Sequence, residues 1–340
     1  MLSPLTSGGV IEHTFDGYDN LLSSQLDYFS RYLRRSKDLI EICSDKKYKN
    51  GKSLRGIKFP VAVVTESLLK YGLSNGDENF CELADELSEF LFYCFTESGF
   101  NYFEEKYLPE DLDTTSVMAR LLGRKYPGVE IAYENIIARN INKENYVPTW
   151  LDTVDHQKWF AGAVPFHLDV LLNYWLTEIS LGKQIRPEVI LAAITKFGLN
   201  NYWYFPSLYT SYLYCRILVL LGLEREEEYL FPLISRLNEW DTDRADLFRR
   251  SNICHYPKVH EIGNTPGLAD NILDQTWRDI IGSFIVKTGF VEFGGQNSFG
   301  PTAKEVDDYE GIPIYWSLGF APFCNEPVTR AMILSSILDI

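Results

Sequence analysis

Asp111-Leu112-Asp113-Thr114-Thr115-Ser116 runs directly into Val117-Met118-Ala119-Arg120-Leu121-Leu122-Gly123. Carboxylates and hydroxyls thus stand just ahead of an apolar run in which Val117, Met118, Leu121 and Leu122 recur on one face of a helix. Asp and Thr at such a place cap the helix, because their side-chain oxygens accept from its unpaired N–H groups. The other reading is chemical: Asp113 is a carboxylic acid held in apolar surroundings so that it can protonate something. The rest of the chain decides how these two readings are weighed.

Outward from this segment the pattern is helical nearly everywhere. Tyr18 to Cys43 reads as one long amphipathic helix and Ser44 to Gly56 as a polar loop. Helices are expected from Phe59-Pro60 to about Gly72, from Asn79 to Phe95, from Asp111 onward, and from Val129 to Ile141. Phe166-His167-Leu168-Asp169 opens a helix to Leu181 that is apolar almost all round, hence buried. Arg186-Pro187 opens the next, to near Gly198. The aromatic loop Asn201 to Pro206 leads into an apolar helix from Ser207 to Leu221, with Gly222 as its stop. Glu226 to Trp240, Leu268 to Thr288 and Pro327 to Ile340 complete the helical set, and the irregular stretch 241–311 includes a Gly-rich part. Apolar helices opened by a polar or proline cap alternate with amphipathic ones. Six inner and six outer helices would close into an α6/α6 barrel. No linker interrupts the series, so residues 1–340 are read as a single all-α domain.

Composition narrows the function. Of 340 residues, 46% are hydrophobic and 14% aromatic, ample for a core. A net charge of −15 argues against nucleic acid, which is bound through Lys and Arg clusters. The basic runs, Arg31 to Lys37 and Lys46 to Lys52, read as solvated surface. Six cysteines are scattered with no CxxC pair, as expected of reduced thiols rather than a disulfide framework. No apolar run reaches the 18 or so residues of a transmembrane span. The first residues carry neither a charged n-region nor an apolar h-region, so a cytoplasmic protein is expected.

The segment Asp-Leu-Asp-Thr-Thr-Ser resembles the Asp-x-Asp-Asp-Thr-Ala motif of class II terpene cyclases, with Thr114 at the fourth position, giving Asp-x-Asp-Thr-Thr. Thr149-Trp150-Leu151, His167 to Asn173 and Tyr202 to Pro206 also look like blocks of that squalene-cyclase and prenyltransferase superfamily. The likeness covers residues 59–222 best. It implies an α/α barrel and protonation-initiated cyclisation of a linear isoprenoid, either a prenyl diphosphate or a prenylated molecule.

The resemblance makes Asp113 the general acid, with Asp111, Thr114 and Thr115 supplying polarity around it. A cation formed there needs π-faces around it. The candidates are Trp150, Trp203, Tyr204, Tyr209, Trp277 and Trp316, with His167 beside them and Trp175 among the wider set. No cofactor is required, because the proton is the initiator. A diphosphate substrate would bring Mg²⁺, with Arg120, Arg216 or Arg330 as counter-charges. No metal site is expected in the chain itself. The alternative function is a non-catalytic α/α barrel that holds a lipid or a protein. A prenyltransferase-like subunit is a third reading, for which the zinc ligands are missing.

Overall fold

The computed structural model describes residues 22–49, 52–101, 110–151, 166–199, 204–205, 209–223, 226–233, 235, 300–301 and 326–338. Within them the chain is mostly helical. Besides helical residues at 22–30 and 227–233, its helices are α1 (Ser36–Cys43), α2 (Lys58–Asn75), α3 (Glu78–Tyr93), α4 (Leu112–Leu122), α5 (Pro127–Asn140), α6 (Leu168–Ser180), α7 (Pro187–Phe197), α8 (Tyr209–Leu221) and α9 (Glu326–Ile337). Two antiparallel pairs accompany them. One is the hairpin β1 (Asp45–Lys49) with β2 (Lys52–Gly56), and the other is β3 (Tyr204–Phe205) with β4 (Gly300–Pro301).

Packing sorts the helices into two layers. α9, α2, α4, α6 and α8 follow one another side by side as an inner row. Against that row α3 packs on α2, α5 on α4, and α7 on α6. Composition puts the inner helices where they are: every residue of α4 is buried, and α6 is buried from Leu168 through Thr177. The expected sixth inner helix, Leu268 to Thr288, lies outside the described residues.

Two sequence expectations fail here, and each has a local cause. The long first helix is broken: residues 22–30 are helical, 31–34 form a turn, and α1 begins anew at Ser36. The amphipathic period continues across residues 31–34, so periodicity alone gave no sign of the break. The loop expected over Ser44 to Gly56 is the β1–β2 hairpin, a ribbon rich in charged residues with no alternating apolar ones to announce it. Other boundaries fall within a few residues of expectation. Gly222, at φ 68°, takes up the left-handed conformation expected of a helix stop.

Candidate active site

The helix start at Asp111 is built by three chain segments that meet. Asp111 donates its N–H to the Phe100 carbonyl at 2.9 Å, and Leu112 N–H donates to the Thr149 carbonyl at 2.8 Å. Leu151 N–H returns to the Glu110 carbonyl at 2.9 Å, so Asp111 and Trp150 face each other in an antiparallel bridge. The Thr115 hydroxyl fixes the third segment. It accepts from Phe100 N–H at 2.9 Å and donates to the Phe100 carbonyl at 3.2 Å. Gly99 lies directly beneath it at φ 117°, where an added Cβ would come within 2.9 Å of the Thr115 hydroxyl. Thr149 Oγ1 and His167 Nδ1 share a hydrogen bond of 2.7 Å, which ties the start of α6 to the same clamp.

Asp111 and Asp113 point different ways. Asp111 is the cap: its Oδ1 accepts from Thr114 N–H at 2.6 Å. Asp113 points across to α6, where its Oδ1 accepts from Asn173 Nδ2 at 2.6 Å. The other oxygen, Oδ2, is buried and has no hydrogen-bond partner among the described residues. Asp113 is only 3% exposed, and burial is the chief cause that holds its carboxyl well above the usual carboxylate range. The charges of Asp111 and Asp169 push the same way, while Asn173 and Arg120 pull against them without prevailing. Burial makes the ionised form costly, so the shift favours the protonated carboxyl.

The partners of Asp113 come from a polar line on an otherwise apolar helix. Asp169, Asn173 and Thr177 succeed each other at four-residue steps on α6, all fully buried. They face a matching line on α4, where the Thr177 hydroxyl donates to the Ser116 carbonyl at 2.9 Å. Two turns beyond Asp113, Arg120 grips Glu66 of α2 with Nε at 2.8 Å and Nη2 at 2.9 Å. Its Nη1 donates to Thr177 Oγ1 at 2.9 Å, and Arg216 of α8 reaches the same Glu66 at 3.1 Å. Burial works to raise the Glu66 carboxyl, but Arg120 and then Arg216 outweigh it and hold the group well below the usual carboxylate range.

The other sequence candidates are placed as follows. Trp150 and His167 are buried beside the clamp, and the Thr114 hydroxyl is buried with no hydrogen-bond partner among the described residues. For Tyr204 and Tyr209 only the backbone is described, in β3 and at the start of α8. Trp203, Trp277 and Trp316 lie outside the described residues. Trp175 is buried, and its ring packs edge-on against Tyr146, 6.1 Å between centroids, in a cluster with Phe197 of α7. The three arginines expected as counter-charges are engaged, Arg120 and Arg216 by Glu66 and Arg330 by Gln25 at 3.1 Å. Among the described residues no three His, Cys, Asp or Glu side chains are placed to hold a metal ion. Nor is any described helix long and apolar enough to cross a membrane.

Sequence reasoning did not single out Asn173, although it stands at the end of the block His167 to Asn173. The signal was present: Asp169, Asn173 and Thr177 interrupt an apolar helix at one helical face, and Arg120 follows Asp113 by two turns on another. Polar residues in such a line on a buried helix need one another.

The same chain path occurs in solved structures. The type II terpene cyclase MstE from Scytonema, in its apo form, aligns with a TM-score of 0.54 at 15% identity, over 94% of this chain and 98% of that one. A variant of MstE in complex with geranylgeranyl dihydroxybenzoate, described as its substrate, aligns with a TM-score of 0.54 at 14% identity, covering 95% and 98%. Another variant, in complex with the product merosterolic acid A, aligns equally well, with a TM-score of 0.54. This is an all-α terpene-cyclase-like fold. No family model and no curated protein matches the sequence.

Proposed function

We propose that the protein is a class II terpene cyclase in which Asp113 starts the reaction by protonating an alkene of a linear isoprenoid. The observation that carries this reading is the place of that one carboxyl group: it is buried, it accepts from Asn173 through one oxygen, and its other oxygen has no hydrogen-bond partner among the described residues. Burial also pushes its pKa upward, toward the protonated form. Alkene protonation needs an acid that is loaded and yet strong. Burial with the neighbouring charges of Asp111 and Asp169 keeps it loaded. The Asn173 amide and the N-terminal end of α4 stabilise the carboxylate left behind, which makes the proton easier to give up.

In the step itself the Asp113 proton adds to one carbon of the terminal alkene. The π electrons form the new C–H bond and leave a tertiary cation on the other carbon. Further alkenes of the same chain attack that cation in turn, closing rings, until loss of a proton ends the sequence. The atoms balance as an isomerisation, and Asp113 is reloaded from solvent. Asp111 serves this by capping α4, and Thr115 by fixing Phe100 beneath it. Trp150 and His167 stand at the clamp from which the acid is presented. Substrates of this kind include prenyl diphosphates and prenylated aryl acids, of which the geranylgeranyl dihydroxybenzoate bound to MstE is an example.

The test is a product assay. The purified protein is incubated with geranylgeranyl diphosphate, with and without Mg²⁺, and separately with geranylgeranyl dihydroxybenzoate, and the products are read by mass spectrometry. The wild type is expected to give a cyclic isomer of one substrate and Asp113→Asn none. A cyclic product formed equally by Asp113→Asn would remove Asp113 from the role, and no cyclic product from any linear isoprenoid would sink the reading.

A further inference from the structure

The polar line on α6 continues past the partner of the acid and ends on a buried ion pair. One turn beyond Asn173, the Thr177 hydroxyl lies 2.9 Å from the Ser116 carbonyl of α4 and 2.9 Å from the Asn173 carbonyl. It also accepts from Arg120 Nη1 at 2.9 Å, and the same Nη1 stands 3.5 Å from the Asn173 carbonyl. A hydroxyl has one proton to give, so the Arg120 N–H secures its oxygen whichever carbonyl takes that proton. α4 and α6 are therefore joined at two successive turns, Asp113 to Asn173 and Ser116 to Thr177, with Arg120 gripping the second.

Arg120 is itself fixed from behind. Its Nε and Nη2 take Glu66 of α2 as a fork, and Arg216 of α8 holds the same carboxylate. A guanidinium is a rigid planar fork, so two nitrogens placed on Glu66 also place the third on Thr177. Arg120 follows Asp113 by seven residues on α4, roughly 10.5 Å along the axis and on the same face. Burial, Asp111 and Asp169 raise the Asp113 pKa, while Asn173 and, after it, Arg120 act in the opposite sense. Apolar side chains of similar size hold buried helices together about as well as an ion pair does. The polar set therefore calls for a use beyond packing.

We propose that Glu66, Arg120 and Thr177 form a positioning relay for the proton donor: Arg120 sets the Thr177 turn of α6, that turn presents the Asn173 amide, and the amide holds the Asp113 carboxyl in place. Arg120 and Thr177 are positioning residues, since both act on Asp113 through Asn173. That Asp113 gives its proton to an alkene rests on the cyclase reading; the coupling of Thr177 to Asp113 does not.

The experiment compares the wild type with Thr177→Val, Thr177→Ser, Arg120→Met and a control, Leu39→Ala. Leu39 is a fully buried residue of α1, which packs on α9, α3 and α2, so its truncation loosens the fold away from the relay. kcat and KM are measured with whichever of geranylgeranyl diphosphate and geranylgeranyl dihydroxybenzoate the wild type cyclises. Thr177→Val is expected to lower kcat about 10-fold, the scale of one hydrogen bond. Its KM should stay within about two-fold, because the acid acts on the chemical step and not on the hold of the substrate. Thr177→Ser and Leu39→Ala should keep the wild-type kcat, and Arg120→Met should lose at least as much as Thr177→Val. Glu66 keeps Arg216 in Arg120→Met, and should that variant fail to fold, Thr177→Val, which spares the ion pair, decides. A double-variant cycle by chemical denaturation then joins Thr177→Val with Asp113→Asn. Their combined effect on the unfolding equilibrium should depart from the product of the single effects by about 3-fold or more, where unlinked sites agree within about two-fold.

The proposal is overturned if Thr177→Val turns over substrate as the wild type does, if Thr177→Ser fails to keep the rate, or if Leu39→Ala loses kcat to the same degree. Absence of coupling between Thr177 and Asp113 in the denaturation cycle overturns it as well. The two readings part cleanly: coupling in a protein that cyclises no linear isoprenoid would remove the cyclase reading alone. Cyclisation abolished by Asp113→Asn but untouched by Thr177→Val would remove this one alone.

Discussion

At the scale of single residues, Asp113 is a carboxyl whose folded pKa is raised above its unfolded value near 4. Its contribution to stability is therefore fully present below that unfolded value and is lost as pH rises through the folded pKa. Asp113→Asn keeps the acceptor for Asn173 and removes the ionisation. The variant should melt at a higher temperature than the wild type at alkaline pH, with the gap closing toward acid; its slope is at most about 1.4 kcal/mol per pH unit. Thermal melts across a pH series read this directly. The same substitution should reduce cyclisation by about 10²–10⁴-fold, the usual worth of a positioned acid. In the wild type, activity should fall as pH rises through the Asp113 pKa, since only the protonated form can give a proton. Asn173→Leu removes a hydrogen bond to the developing carboxylate, a contact of about 1.5–3 kcal/mol, and should lower kcat about 10- to 100-fold in a single-turnover assay. Of this pair, Asp113, which the structure buries, was singled out in the sequence. Asn173 was not, because an amide carries no signature until the helix opposite it is known.

At the scale of elements, helix starts were legible wherever chemistry marks them. Asp111 before α4 and Pro187 at α7 stand where the pattern put them, while α5 opens at Pro127, two residues ahead of the expected Val129. What escaped was decided by contacts distant in sequence. The clamp of residues 99–101, 110–112 and 149–151 consists of backbone bonds, and backbone bonds leave no mark on side-chain pattern. Gly99 is its most vulnerable point. Gly99→Ala needs a positive φ and drives a methyl group toward the Thr115 hydroxyl, so a loss of about 1–3 kcal/mol is expected on chemical denaturation. Thr115→Val, which leaves Phe100 N–H buried without its acceptor, should cost about 1–3 kcal/mol in the same experiment.

At the scale of the whole molecule, the alternation of all-round apolar helices with one-sided ones made the two-layer plan readable. The link between inner helices was less so. Glu66 is a lone acid on an apolar helix, and its partners lie 54 and 150 residues away in sequence. Glu66→Ala would strand two guanidinium groups among α2, α4, α6 and α8, and should destabilise the protein by about 3 kcal/mol or more in equilibrium unfolding. Because the Glu66 pKa is depressed, its contribution is present above the unfolded value near 4.3 and disappears as pH falls through the folded one. The clamp has one more consequence, for how such a protein can change over time. Its bonds, Asp111 to Phe100, Leu112 to Thr149, Leu151 to Glu110 and Thr149 to His167, tie the start of α4 to partners on both sides of it in sequence. A substitution that breaks one of them leaves the others in place, so the surroundings of Asp113 can change one contact at a time while its carboxyl keeps its position.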